Sequence, residues 1–363
     1  MLRPLTLVLL STALAASPGA APSTYDEVAA GFDFVTVGDP GNAGLSLSNY
    51  QEFPENIGRG AVDYSFRVTR TEVTTEQYME FVNTFSTISD DVRRQLTFGL
   101  RWSATVDADY FGPGERYVLT DLRPTTVQGD FVQAAMYINW LHHGKTTDFE
   151  MIMDGVYDIS TFEEIRLPDN TPVRTDQIER KPGSRFFIPN FDEMLKAGYY
   201  DPEKDADGDG VAEGGWWTFP NRSDVAPVSG LPGEGETSRG LDELELEDAL
   251  GVPGLGSIPV GLYPETASYY GVVDISGTGR EFTESVFVSP FSPERSKNRQ
   301  TVGSSSAFSE ELGILNERAD TGGFTRPVST LTFRVATQIP GPPVGVVCML
   351  GGAAIALVSR RRS

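Results

Sequence analysis

The sequence predicts an irregular α+β domain with few short helices and many loops. Three observations point there. Short alternating apolar stretches read as strands, and a few segments carry apolar residues at helical spacing. Glycine and proline, at 38 and 24 residues, then demand many turns between them.

Residues 32–37 alternate weakly and end at Gly38-Asp39-Pro40-Gly41-Asn42, a strand running into a turn. Val62, Tyr64, Phe66 and Val68 alternate cleanly and read as a second strand. Thr74 or Thr75 caps a helix reaching Phe85, with Glu76 in its first turn and Tyr78, Phe81, Val82 and Phe85 as its apolar stripe. From Asp130 onward, Phe131, Ala134, Ala135, Ile138 and Leu141 mark a helix that Gly144 stops. Asn190 caps a shorter helix holding Met194, Leu195 and Ala197. From Tyr199 to about Gly261 the chain is mostly glycine, proline and acid, which reads as loop. The final third holds short strand-like pieces such as Phe333-Arg334-Val335-Ala336.

The two ends read as targeting segments. Arg3, an apolar run from Leu5 to Ala16 and small residues up to Ala21 predict a secretory signal peptide over residues 1–21. At the other end, Ile339-Pro340-Gly341-Pro342-Pro343 precedes an apolar run and the cluster Arg360-Arg361-Arg362. This arrangement resembles a bacterial PEP-CTERM-type sorting tail, with Pro-Gly-Pro-Pro in place of Pro-Glu-Pro. It predicts retention through residues 339–363, the arginines staying on the cytoplasmic side. Residues 22–338 are then the exported domain, destined for the cell envelope or outer surface.

The net charge of −22 argues against a nucleic-acid partner, because phosphate binding needs Lys and Arg to displace counterions. It suits cations. The one cysteine, Cys348, lies in the C-terminal apolar run. The exported domain therefore has no disulfide, no zinc–thiolate site and no cysteine nucleophile.

Five segments in order carry a family resemblance. They are Glu72-Val73-Thr74-Thr75-Glu76-Gln77-Tyr78 with Phe81, then Ala134 to Leu141 ending Asn-Trp-Leu, then Ile188-Pro189-Asn190 opening a helix with Glu193. The fourth is Tyr270-Gly271-Val272-Val273-Asp274-Ile275-Ser276-Gly277-Thr278-Gly279-Arg280-Glu281-Phe282-Thr283, and the last is Phe333-Arg334-Val335. Together they resemble the formylglycine-generating-enzyme (sulfatase-modifying factor) family. The resemblance implies a C-type-lectin-like fold with long loops fixed partly by calcium.

The same resemblance implies chemistry that this chain lacks the residues to perform. The family's oxidases hold copper on a cysteine pair, and no cysteine lies between Gly303 and Arg334. A related branch holds iron on three histidines, whereas His142 and His143 are the whole complement here and sit adjacent at a helix end, where they read as solvated and favoured by the helix dipole. Neither copper nor iron is expected. Two calcium sites are candidates. The family's calcium segment maps onto Asp274, Gly277, Gly279 and Glu281, the alternative being a loop fixed by ordinary hydrogen bonds. Separately, Asp205, Asp207, Asp209, Val211 (through its carbonyl) and Glu213 fall at EF-hand loop spacing, with Gly210 at the sharp turn and Trp216 where the last carboxylate belongs. The alternative is a solvated acidic loop.

Arg318, Asp320 and Arg334 lie where the family's active site would be, as catalytic groups or as surface ion pairs. Trp216 and Trp217 beside Phe219 read as packing or as the wall of a ligand groove, and Ser304-Ser305-Ser306 as a structural turn. The expected function is an exported, envelope-retained binding or structural module for an extracellular glycan or protein. An enzyme with new active-site residues is the alternative.

Overall fold

The computed structural model describes residues 24–46, 57–241 except 163, 167, 171, 175 and 176, then 243–251, 258–288, 297–305 and 331–339. The expected signal peptide, most of the expected C-terminal segment, Ser306, Arg318, Asp320 and Cys348 lie outside these residues.

The architecture is α+β. Strands from opposite ends of the chain meet in one four-stranded antiparallel sheet, in the order Phe34–Val37, Phe66–Thr69, Ala336–Gln338, Phe186–Phe187. Val68 lies opposite Val35 on one side and Ala336 on the other. Phe66 and Val68 are fully buried while Arg67 between them is not, the period-two alternation that fixes register. The expected strand from Val62 begins only at Phe66, because Val62 is tied into a turn: its N–H donates to Asn42 Oδ1 and its carbonyl accepts from Gly41. A second sheet orders Lys297–Val302, Arg280–Val288 and Leu331–Thr332.

Three expected helices form, Thr75–Phe85, Phe131–His142 and Phe191–Tyr199. Each opens with a reciprocal capping box, Thr74 with Gln77, Asp130 with Gln133 and Asn190 with Glu193. The first buries the stripe its spacing predicts. The second does not behave as an amphipathic surface helix. Ten of its twelve residues are buried, because it is enclosed by the Thr75–Phe85 and Phe149–Met153 helices and the strand Phe186–Phe187. Its rings Tyr137 and Trp140 join Tyr78 and Phe81, with ring centroids 5.4–5.7 Å apart.

Burying Asn139 in such a helix requires every polar atom to find a partner. Its Nδ2 donates to the carbonyls of Ile152 (2.9 Å) and Tyr157 (2.7 Å), and its Oδ1 accepts from Tyr157 N–H at 3.0 Å. The Asn-Trp-Leu sequence thus stitches the helix to the segment that follows.

Several elements have no counterpart in the sequence reading. Among them are the helices Asp90–Thr97, Phe149–Met153 and Glu243–Leu250 and the hairpin Ala104–Val106 with Tyr117–Leu119. The nine-residue strand Arg280–Val288 is hidden in a run with polar residues in both phases. It stays a strand because those residues are satisfied inside: Thr283 Oγ1 donates to Gln300 O at 2.8 Å, and Glu281 and Glu284 are ion-paired.

Replacing Asn139 by Ala orphans two carbonyls and one N–H in the core. Urea unfolding should show a loss of about 2–4 kcal/mol at an unchanged m value. A loss under about 1 kcal/mol would mean the stitch is dispensable.

Candidate functional site

Three polar assemblies stand out, and each grows from a different local constraint. The first is the acidic loop joining the paired strands Tyr200–Asp201 and Gly215–Trp216. Gly208 and Gly210 adopt φ of +81° and +92°, which folds the loop onto itself. Asp205 Oδ1 accepts from the N–H groups of Gly208 (2.7 Å) and Asp209 (3.1 Å), and its Oδ2 accepts from Gly210 at 2.8 Å. Asp209 Oδ1 accepts from Val211 at 2.8 Å, and Glu213 Oε2 from Ala206 at 3.1 Å. Carboxylate oxygens of Asp205, Asp207, Asp209 and Glu213 lie within 4.8 Å of one another, all on exposed residues. Four like charges at that range repel unless a cation lies among them, and a hard oxygen-seeking divalent ion fits this donor set. Trp216, at the twelfth position, plays a different part. Its ring packs against Tyr200, its Nε1 donates to Ala43 O at 3.3 Å, and it lies where a Cβ on Gly60 would come within 2.2 Å. The loop is therefore anchored to the body of the protein.

The second assembly is a buried charge cluster. Arg334 donates to Glu281 through Nε (2.6 Å) and Nη2 (2.9 Å), to Val273 O (2.6 Å), and to the carbonyls of Thr69 (3.1 Å) and Arg70. Glu72 Oε2 lies 3.6 Å from the same guanidinium. Thr278 Oγ1 touches Glu72 Oε1 and the Asp274 carbonyl. Burial, opposed by Arg334 and reinforced by Asp274 and Glu281, pushes the Glu72 carboxyl well above the usual range.

Of the family-derived calcium residues, Asp274 sits at φ +66° with Oδ2 accepting from Gly261. The Gly277 carbonyl accepts from Ser238 Oγ at 2.7 Å. Both Glu281 oxygens face the guanidinium, so a divalent ion at these residues would meet a fixed positive charge. Arg280 Nε donates to Gly303 O at 3.1 Å, while its Nη2 is buried with no partner among the described residues. Arg334 is fully buried, which replaces the expected surface pairing with a structural one.

The third assembly lines a cleft of about 580 Å³ beside the N-terminus of the Phe191–Tyr199 helix. Arg180 bonds Glu193 (2.7 and 3.0 Å) and Glu284 (3.0 Å) while lying 3.7 Å above the Phe187 ring. Glu284 Oε2 accepts from Tyr157 OH at 2.9 Å. Across the cleft Arg59 holds Asp192 through two bonds (2.8 and 3.2 Å) and lies over Phe191. Burial pushes the Glu284 carboxyl up to about 7, with Arg180 pulling it down and Glu193 pushing it further up. The sequence reading missed this group. Its signal was Glu284 beside Glu281 in one strand, legible only once the strand's two faces are known.

The remaining candidates resolve as structure. His142 is not a solvated, dipole-favoured histidine. Burial first, then His143, Arg185 and Lys181, lower it to about 4, and its neutral Nδ1 accepts from Arg185 N–H at 3.2 Å. His143 Nε2 instead faces Asp154 O at 3.3 Å. Trp217 is covered by Lys204, 3.8 Å from its ring centroid, and donates to Asp201 at 3.0 Å. Ser304 and Ser305 pair in parallel with Ser276 and Gly277.

Glu284 titrates at about 7 in the fold against an ordinary 4.5, and Asp130 at about 6 against 3.8, both raised by burial. The folded state then binds more protons than the unfolded state between those values. Their contribution is complete below about pH 4 and is lost as pH rises through 6 to 7. Melting temperature should fall from pH 5 to pH 8, and Glu284→Gln should flatten the slope above pH 6. An unchanged slope would contradict this assignment.

No family model matches the sequence, and no curated protein matches it. Among solved structures the fold is similar to one described as the crystal structure of CarF (15% identity, TM-score 0.49, covering 85% of this chain and 99% of that one). It is also similar to Treponema denticola variable protein 1 (14% identity, TM-score 0.40, covering 84% and 95%).

Proposed function

We propose that this chain is an exported, envelope-retained module of C-type-lectin-like, sulfatase-modifying-factor-like fold that binds an extracellular glycan or protein and carries no formylglycine-generating oxidase activity. Calcium belongs in its 205–213 loop. The observation that carries the calcium assignment is the convergence of Asp205, Asp207, Asp209 and Glu213. The loss of oxidase chemistry follows from the absence of any cysteine in residues 22–338, since thiolates are the ligands that select Cu(I). The 205–213 loop is favoured over the 274–281 segment because its carboxylates face each other, whereas Glu281 faces Arg334.

A bound ion here would act on structure. It would cancel the repulsion within the loop and stiffen the ribbon that carries Trp216 onto Gly60. One observation favours an enzymatic alternative: Glu284 in its cleft titrates at about 7, where an acid–base group works best.

Millimolar calcium should raise the melting temperature by several degrees and change Trp216 fluorescence, and Asp207→Asn with Asp209→Asn should abolish both effects. An unchanged melting point would sink the calcium assignment. A sulfatase-derived cysteine peptide incubated with the full chain, copper and oxygen should yield no aldehyde, and any aldehyde would overturn the loss of oxidase chemistry.

A further inference from the structure

We propose that the cleft between Arg59 and Arg180 is a binding site for a neutral oligosaccharide. The inference rests on the reading of the chain as a binding module and assigns that module its ligand class and its place.

The cleft's charges decide the class. Arg59, Arg180 and Lys181 stand against Glu179, Asp192 and Glu284, so the lining carries no large excess of either sign whether or not Glu284 is ionised. The strongest of these are already committed. Asp192 and Arg59 hold each other through two bonds, Arg180 holds Glu284, and Lys181 holds Asp154 outside the cleft. A charged ligand that took Arg59, Arg180, Asp192 or Glu284 as its partner would have to break one of these pairs, leaving the other charge uncompensated. A ligand rich in neutral hydroxyls meets no such cost. Each hydroxyl both donates and accepts, and the pairs offer both roles at fixed positions.

The polar groups are stiff. Both guanidinium planes lie on aromatic rings, Arg180 over Phe187 and Arg59 over Phe191. Ser285 Oγ is fixed by accepting from Phe191 N–H at 3.0 Å, which leaves its proton to give. Gln300 also lines the cleft, where its Oε1 accepts from Arg59 at 3.4–3.5 Å, long enough for a ligand hydroxyl to compete for that oxygen. Such pre-set groups reduce the ordering cost of binding. Tyr64, held at its hydroxyl by Glu193 (2.7 Å) and Arg180 (3.0 Å), leaves 40% of its surface exposed next to this network. An aromatic ring pinned by its polar tip offers an apolar face for the C–H side of a sugar ring. The volume lies within the roughly 300–1,000 Å³ typical of small-ligand sites.

The test is isothermal titration of the purified full chain with cello-, xylo-, malto- and chitohexaose, and with hexagalacturonate as the anionic counterpart. At least one neutral hexamer should bind, and hexagalacturonate at least about tenfold more weakly. Gln300→Ala and Tyr64→Ala should each weaken the neutral ligand about tenfold or more with a melting temperature within a few degrees of the parent. The loop variant Asp209→Asn, and the parent in EDTA, should bind as the parent does. No binding by any neutral hexamer, preference for hexagalacturonate, or indifference to both Gln300→Ala and Tyr64→Ala would overturn the proposal. Neutral binding that vanishes in EDTA or with Asp209→Asn but survives both of these substitutions would overturn it while leaving the binding-module reading intact.

Discussion

Arg334 is where distant parts of this chain are locked together. It lies just ahead of the strand Ala336–Gln338, and its five N–H groups reach a carboxylate of the Arg280–Val288 strand and backbone carbonyls of Thr69, Arg70 and Val273. A lysine has three donors and no planar fork, so it could not serve all of these acceptors at once. These bonds fix the chain just before the strand Ala336–Gln338, which pairs with Phe66–Thr69. Burying one guanidinium among Glu72, Asp274 and Glu281 is unfavourable unless the bonds are complete, and burial with the neighbouring carboxylates pushes the Glu72 carboxyl towards its neutral form.

The same cluster fixes the shape of segment 270–283. Gly277 must remain glycine, since its φ is +107° and a Cβ there would come within 2.5 Å of Thr237. Thr278 holds Glu72. With Glu281 committed to Arg334, the positive charge at this place comes from the protein itself. The acidic loop at 205–213 is the converse case, four exposed carboxylates drawn together with one another.

Legibility in the sequence followed the range of the interactions. The helices at Thr75, Phe131 and Asn190 were readable because caps and apolar spacing act within a few residues. The central burial of Phe131–His142 was not, because a helix hidden on all sides differs from an amphipathic one only through its neighbours. The Arg280–Val288 strand was masked by polar residues whose partners, Arg334, Arg180 and Gln300, lie up to about a hundred residues away or on another strand. The spacing of Asp205, Asp207, Asp209 and Glu213 was readable for the same local reason as the caps. The cleft was not, since Arg59, Arg180, Asp192, Glu284 and Gln300 come together only in three dimensions. The histidines misled because their position at a helix end suggested exposure, whereas the Arg185 segment covers His142.

The account depends most on the claim that Arg334 is an internal fastener and not a surface or catalytic charge. Chemical unfolding of Arg334→Met tests it directly. Removing one partner of a buried pair should cost about 3–5 kcal/mol, and adding Glu281→Gln to the same chain should recover part of that loss. A single variant within about 1 kcal/mol of the parent would contradict the account.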